Sequence, residues 1–167
     1  APVYGYIILN LSRVVTFDTK AALGVRWQAS FWQLVINPNK IMQQYTTANH
    51  MALALAHEAL HLIWQHPIRY AQVDVQQTTI ALGTDVAVNQ YLPDQLGLLP
   101  NLVTRQTIFL KYGIHLPAHK DSADYIAELV QHDIVSPETN GGTNHAGWQR
   151  VTANPVSGQA ALIAIMQ

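Results

Sequence analysis

The stretch "HEALHLIWQHP", residues 57–67, decides how this chain folds and which chemistry it can carry. His57 and His61 are four residues apart, so on a helix both imidazoles lie on one face, about one turn apart. That separation suits two nitrogens that bind one tetrahedral zinc ion. Glu58 follows His57 in the sequence and is rotated from it by about 100° around the helix axis. From there its carboxylate is expected to reach a water molecule at the metal without being a ligand. The motif therefore predicts metal-assisted hydrolysis with Glu58 as the general base.

The helix around this motif is otherwise apolar, with "MALALA" before it and "LIW" after it. Two histidines and a glutamate in such a helix would be costly to bury without partners. A metal ion supplies those partners, whereas the alternative is ordinary surface or core histidines beside a solvated acid. We expect the helix to begin at a cap formed by Thr46 or Thr47 and to end at Pro67, because the residue before a proline disfavours α geometry.

A catalytic zinc site needs a third protein ligand, and three residues are candidates: Asp85, His66 and His145. The chain has no cysteine, so this ligand must be an imidazole or a carboxylate. His66 is half a turn out of phase with His57 on a straight helix, and it reaches the metal only if the helix breaks before Pro67. His145 lies in a glycine-rich segment, where the sequence does not fix its position.

Asp85 is the favoured third ligand because its face of a predicted second helix is apolar. A buried carboxylate on that face needs a cation or strong hydrogen-bond donors. Asn89, one turn further along, shares the face and is expected to orient one of the zinc-binding histidines. Arg69, which follows the first helix, is a candidate to pair with Asp85 or with a substrate carboxylate. The residues that make the face apolar are Ala81, Leu82 and Val88.

The composition of the chain narrows the classes of protein to which it can belong. Its 167 residues suit one domain, and 49% of them are apolar, which is enough for a core. Only 11% of the residues are charged and the net charge is −1, so the basic footprint of a nucleic-acid-binding protein is missing. The first residues lack the layout of a signal peptide and are too short an apolar run to span a membrane. A cytoplasmic protein without a membrane partner is therefore expected.

The predicted elements are a helix or buried strand, a hairpin and then helices, an order that indicates an α+β fold. The hairpin would form a small antiparallel sheet, packed on a helical lobe that carries the HExxH helix. The first part of the chain is predicted to form a helix or strand over 3–15 and a hairpin over 24–37 that ends at the turn "NPNK". A long helix over 46–67 and a second helix over 75–92 follow, with a short helix within 93–117 and a third helix over 121–132. The last part is predicted to form a loop over 136–148 and a terminal helix over 155–167.

Several segments, in their order and spacing, resemble those of a known family: "VINPNKI" (35–41), "ALAHEALHLIWQHPIR" (54–69), "TDVAVNQYL" (84–92), "GLLP" (97–100), "SADYIAEL" (122–129) and "NHAGW" (144–148). The family is the bacterial putative metallopeptidase domain family, whose domain often precedes a von Willebrand factor A-like domain encoded near a MoxR-type ATPase. The resemblance implies a single zincin-like domain over residues 1–167, with zinc as cofactor. It also implies a peptide or protein substrate that pairs with an edge strand lining the cleft, here "FWQLVINP".

The run from His57 to His66 is also similar to the HExxH-four-residues-His pattern of the membrane CaaX-prenyl proteases. In those enzymes the third ligand is an acid on a later helix, usually glutamate, with a polar residue four positions on. Asp85 and Asn89 match that arrangement. His66 would then support the ligands from behind instead of binding the metal.

The segment "TNHAGW" resembles a related motif in which two acids usually precede the histidine, but here Thr143 and Asn144 occupy those positions. The resemblance to loop histidines of thermolysin-like enzymes implies that His145 stabilises an oxyanion. The alternative is that His145 is an ordinary loop histidine.

The residues together predict a zinc-dependent metallopeptidase in which His57, His61 and Asp85 hold zinc and Glu58 is the general base. The alternative is a regulatory or binding module whose zinc site is structural or vestigial and which works through a partner protein. Four protein ligands, with His66 or His145 added, would favour the alternative. An open coordination position would favour the enzyme.

Overall fold

The computed structural model of the chain describes residues 2–28, 30–134, 160 and 163. Within these residues the chain is mixed α+β, as the sequence predicts, with seven helices and one small sheet. The helices are α1 (Pro2–Leu9), α2 (Pro38–Gln44), α3 (Ala48–Ile63), α4 (His66–Arg69), α5 (Gln77–Asn89), α6 (Arg105–Tyr112) and α7 (Ser122–Gln131), and the strands are β1 (Ser12–Val15), β2 (Leu23–Gln28) and β3 (Phe31–Ile36). The predicted loop over 136–148 lies outside the described residues, as does nearly all of the predicted terminal helix.

The sheet has the strand order β1-β3-β2, so β3 lies in its centre. The predicted hairpin is confirmed: β2 and β3 are antiparallel, with Leu23 opposite Ile36. Two predictions are wrong. The sheet is mixed, because β1 pairs parallel with β3, and the "FWQLVI" strand is not an edge strand. Both errors have the same cause. The first predicted segment, residues 3–15, divides into α1 and β1, and β1 pairs with the edge of β3 that does not face β2.

Helix α3 begins as predicted but ends earlier. Thr47 caps it by accepting a hydrogen bond from the His50 backbone N–H. The helix stops at Ile63, four residues before Pro67, so the predicted end is wrong. Gln65 has a φ of 56°, in the left-handed region, and this residue turns the chain into α4. Pro67 lies in the first turn of α4, where its missing N–H leaves no hydrogen bond unmade.

The segment "NPNK" is not a simple turn, because it starts helix α2. The Asn37 side chain accepts a hydrogen bond from the Lys40 backbone N–H, and Pro38 occupies the first turn. Asparagine followed by proline is a strong helix-start signal, and it outweighs the turn that the same residues predict.

Helix α3 lies between two apolar clusters and connects them. One cluster joins the sheet to α1 and α3, with Trp32, Leu34 and Leu62 at its centre. The other joins α5, α6 and α7 around Val86 and Tyr125. The polar face of α3 therefore meets α5 inside the molecule. In the part of the chain that the structure describes, no helix has the length and apolar character needed to cross a bilayer.

Candidate metal centre

Helix α3 places the whole HExxH motif in the interior. His57 is 3% exposed, and Glu58 and His61 are fully buried. Buried residues surround them on the same helix, including Ala59 and Leu62. Three ionisable side chains in one buried turn must be compensated by groups on the elements packed against α3.

Helix α5 supplies the compensating groups. It packs against α3 and places Asp85 beside both histidines. The Nε2 atoms of His57 and His61 are 3.0 Å apart, and Asp85 Oδ1 is 3.5 Å from the first and 3.2 Å from the second. Ligands at about 2.0–2.1 Å from a tetrahedral ion are about 3.3 Å from one another. The three atoms therefore already have the spacing of three corners of a metal coordination tetrahedron.

Asn89 orients His57, as its position on the helix predicted. The Asn89 side-chain N–H donates to the carbonyl of Val103 at 2.8 Å, which leaves its Oδ1 as an acceptor. His57 Nδ1 lies 2.7 Å from that oxygen, so His57 donates from Nδ1. A neutral His57 then carries its lone pair on Nε2, which points into the cluster. Asn89 thereby sets the tautomer that a metal ligand needs.

His66 supports His61 from the opposite side of the ring. Its Nδ1 is 3.0 Å from His61 Nδ1, whereas the Nε2 of His61 faces Asp85. His66 is fully buried, and its ring also contacts those of Trp64 and Tyr70. The break in α3 brings it there. The sequence predicts that His66 reaches the metal only if the helix breaks before Pro67. The helix does break, but His66 then contacts the outer nitrogen of His61, Nδ1, and does not join the cluster.

The electrostatic environment of the cluster favours a cation. Burial by itself lowers the pKa of His57, but the hydrogen bond and charge of Asp85, together with the charge of Glu58, raise it to about 9. A buried imidazole that holds a proton so strongly lies in a negative potential. Burial, and then the charge of Glu58, likewise raises the pKa of Tyr45, at the end of α2. Tyr45, which the sequence did not single out, therefore lies near Glu58.

Two other sequence-predicted residues have different outcomes. Arg69 does not pair with Asp85: its guanidinium makes two hydrogen bonds to Asp121, the shorter at 2.6 Å. His145 lies outside the described residues.

The side chain of Asp85 is 11% exposed and that of His57 is 4% exposed, while that of His61 is not exposed at all. Solvent therefore reaches the cluster from the side of Asp85.

Comparison with known protein families matches this chain to the family described as "Putative metallopeptidase domain". The match covers residues 18–164 and so includes α3, α5 and all three cluster residues. Comparison with curated proteins and with solved structures gives no match.

Proposed function

The chain belongs to this metallopeptidase domain family, and on that premise we propose that it is a zinc-dependent peptidase that hydrolyses a peptide bond in a peptide or protein substrate. The observation that carries the proposal is the set of three ligand atoms, from His57, His61 and Asp85, at 3.0–3.5 Å from one another. Two imidazole nitrogens and one carboxylate oxygen form a common ligand set of catalytic zinc. A carboxylate and imidazoles without thiolate also disfavour copper(I) and iron–sulfur clusters.

The position of His66 supports a catalytic site over a structural one. Structural zinc sites are closed by four protein ligands, whereas catalytic sites use three. Among the described residues His66 is the nearest additional histidine, and it contacts the nitrogen of His61 that points away from Asp85. It therefore cannot be a fourth ligand without turning the ring of His61. Three protein ligands leave one position for a substrate or solvent oxygen.

Glu58 is the proposed general base. A zinc ion at the cluster would act as a Lewis acid that polarises the scissile carbonyl and acidifies water. The Glu58 carboxylate accepts a proton from water and later delivers it to the leaving amine. Two observations support this role: Glu58 follows His57 on α3, and its charge contributes to the raised pKa of His57. Asn89 and His66 hold the two imidazoles, so that their Nε2 atoms stay directed at one point.

Strand β2 is the proposed pairing edge for the substrate. Among the described residues β2 pairs only with β3, and it packs against α3, the helix that carries the motif. Strand β1 also has one free edge, but it is on the other side of the sheet. An extended peptide along β2 would gain backbone hydrogen bonds next to the cluster. His145 is proposed to stabilise the oxyanion, and a von Willebrand factor A-like domain or a MoxR-type ATPase is a proposed partner.

The test combines metal content with hydrolysis. The protein, Glu58→Gln and the half-buried control Glu128→Gln, whose carboxylate lies outside the cluster, are purified without added metal, and zinc per chain is measured by elemental mass spectrometry. We expect about one zinc in each and cleavage of a quenched fluorescent peptide library by all but Glu58→Gln. Loss of a general base costs about 10²–10⁴-fold in rate. Full activity in Glu58→Gln would contradict the assigned role.

The same measurements separate the enzyme from its alternative. One zinc per chain without hydrolysis of any library member, in the protein and in Glu128→Gln alike, would favour a regulatory or binding module with a structural site. A folded protein that refuses added zinc would exclude the peptidase and a structural zinc site, and would leave a binding module with a vestigial site.

A further inference from the structure

A second polar recess lies beside the end of α3 and does not contain the cluster. It is a cavity of about 330 Å³ lined by Trp64, Arg69, Tyr91, His119, Lys120 and Asp121. This volume is at the lower end of the range of about 300–1,000 Å³ found for small-ligand sites. A single ring or one amino-acid residue fits such a space, whereas an extended peptide does not.

Aromatic rings form one wall of the cavity. The rings of Trp64 and Tyr91 meet edge to face, with centroids 4.9 Å apart, and the His119 ring lies 6.4 Å from that of Tyr91. The His119 backbone is fixed, because its N–H donates to the side chain of Gln90 at 2.9 Å. Tyr91 is 44% exposed, which is high for an aromatic side chain in a wall. Such rings favour a further aromatic ring in the same edge-to-face geometry.

Charged side chains also line the cavity, and together they carry a net charge of +1. Arg69 and Asp121 neutralise each other through two hydrogen bonds, and the guanidinium also lies 5.3 Å from the Tyr70 ring centroid. Lys120 has no acidic partner within ion-pair distance among the described residues. Aromatic faces by themselves attract an ammonium ligand, but the surplus positive charge of this lining opposes a cation and favours an anion.

We propose that this cavity binds an aromatic residue or small aromatic acid through its carboxylate, with the ring against Trp64 and Tyr91 and the carboxylate at Lys120. Arg69 adds a fixed guanidinium beside that carboxylate, because two of its N–H groups are held by Asp121. The carboxylate belongs either to a free aromatic acid or to the C-terminus of a peptide. This site goes beyond the proposed function, and binding at it requires no metal.

The test is calorimetric titration of the metal-stripped protein with N-acetylphenylalanine and with its amide. We expect the acid to bind at least about tenfold more tightly, which corresponds to about 1.4 kcal/mol, because the acid alone offers a charged partner to Lys120. Lys120→Gln should remove this preference, whereas Lys40→Gln on α2 should retain it. Tyr91→Ala should weaken both ligands. Equal binding of acid and amide, no saturable binding, or saturable binding of tetramethylammonium in place of the acid would overturn the proposal.

Two further ligands distinguish the sources of the carboxylate. Equal affinity for 3-phenylpropanoate and for N-acetylalanylphenylalanine would assign the cavity to free aromatic acids. Tighter binding of the dipeptide would assign it to peptide C-termini. Because these titrations use metal-free protein, their result is independent of whether the chain is a peptidase.

Discussion

Two clusters of charged side chains join helices in this molecule, and they solve opposite problems. In the buried cluster, His57, His61 and Asp85 connect α3 to α5 with almost no exposure. In the surface clamp, Arg69 and Asp121 connect α4 to α7, and their side chains are 37% and 50% exposed. The clamp contains one cation and one anion, so its net charge is zero without a further ion. In the buried cluster, a proton on the His57 imidazole provides counter-charge to the acids Asp85 and Glu58.

The difference indicates which cluster is suited to hold a metal ion. An exposed pair between fixed charges contributes little stability, because solvent screens it. A buried acid beside neutral imidazoles is costly unless a cation is added. The raised pKa of His57 reports this need, since a proton takes the place that a metal would take. We therefore expect the buried cluster to govern metal binding and the clamp to leave it unchanged.

The largest effect is expected from removing the carboxylate of the buried cluster. Asp85→Asn should weaken zinc binding by more than about 100-fold, because it removes a ligand and a charge, and loss of a mere supporting residue already costs about 10–100-fold. Asp121→Asn is the matched change in the clamp and should leave the zinc affinity unchanged. Competition with a chromophoric chelator measures both affinities. Equal losses in the two variants would show that the comparison between the clusters is wrong.

A smaller effect is expected when the groups behind the ligands are changed. Asn89→Ala should weaken zinc binding by about 10–100-fold, because His57 loses the acceptor that fixes its tautomer. The matched change beside the clamp is Tyr70→Phe, which removes a 2.7 Å hydrogen bond to Ser122. It should cost about 1 kcal/mol of unfolding free energy and no zinc affinity. Denaturant titration and chelator competition separate the two results, and a zinc affinity unchanged in Asn89→Ala would rule out its orienting role.

Helix α5 carries Asp85 of the buried cluster, and Asp121 of the surface clamp caps α7. How closely these two helices approach each other can be tested at Gly83. A Cβ at Gly83 would lie 2.5 Å from Cγ1 and 3.0 Å from the backbone N of Ile126. Gly83→Ala should therefore destabilise the protein by about 1–3 kcal/mol. Gly5→Ala in α1 meets nothing within 4 Å and should stabilise slightly, by about 0.5–1 kcal/mol. Thermal unfolding compares the variants, and a Gly83→Ala protein of unchanged stability would refute the close approach.

The two regions should also lose stability at opposite ends of the pH scale. In metal-free protein the pKa of His57 is raised from 6.5 to about 9, so its stabilisation is present below pH 6.5 and lost as the pH rises through 9. The hydrogen bond from Arg69 is the main reason that the pKa of Asp121 is lowered from 3.8 to about 2. Its stabilisation is present above pH 3.8 and lost toward pH 2, and screening limits it to less than about 1 kcal/mol.

Melting temperatures of metal-free protein from pH 6 to 10 check the larger of these effects. We expect them to fall with rising pH, and Asp85→Asn should flatten the profile because it removes the acid that holds the proton. Zinc should reverse the trend, because it requires neutral His57 and therefore binds more tightly as the pH approaches 9. Identical pH profiles with and without zinc would count against competition between the metal and that proton.

Local periodicity accounts for what the sequence predicts well. The four-residue spacing of His57 and His61 and of Asp85 and Asn89 fixes which face of each helix they share, and the structure confirms that these faces meet. The role of His66 depends on one left-handed residue, Gln65, and glutamine gives no signal for that conformation. The phase of His66 could therefore not be predicted.

Long-range pairing accounts for the main error. The hairpin is a local feature, and its residues predict it. The position of β3 in the sheet depends on parallel pairing with β1, about twenty residues earlier in the chain, and periodicity carries no information on such a contact. The start of α2 at Asn37 and Pro38 is different, because its local signal was present in the sequence.

Parallel pairing of β1 also protects the molecule against association with itself. The register runs from Ser12 opposite Gln33 to Val15 opposite Ile36, so a strand of only four residues covers one backbone edge of β3, the most apolar strand. Phe31 and the exposed Val15 and Phe17 lie near this border. Detachment of β1 would expose unpaired N–H and C=O groups on a strand that contains Trp32 and Leu34, which is a template for edge-to-edge aggregation. The colloidal behaviour of the protein is therefore expected to depend on β1, a strand that contributes no residue to the buried cluster.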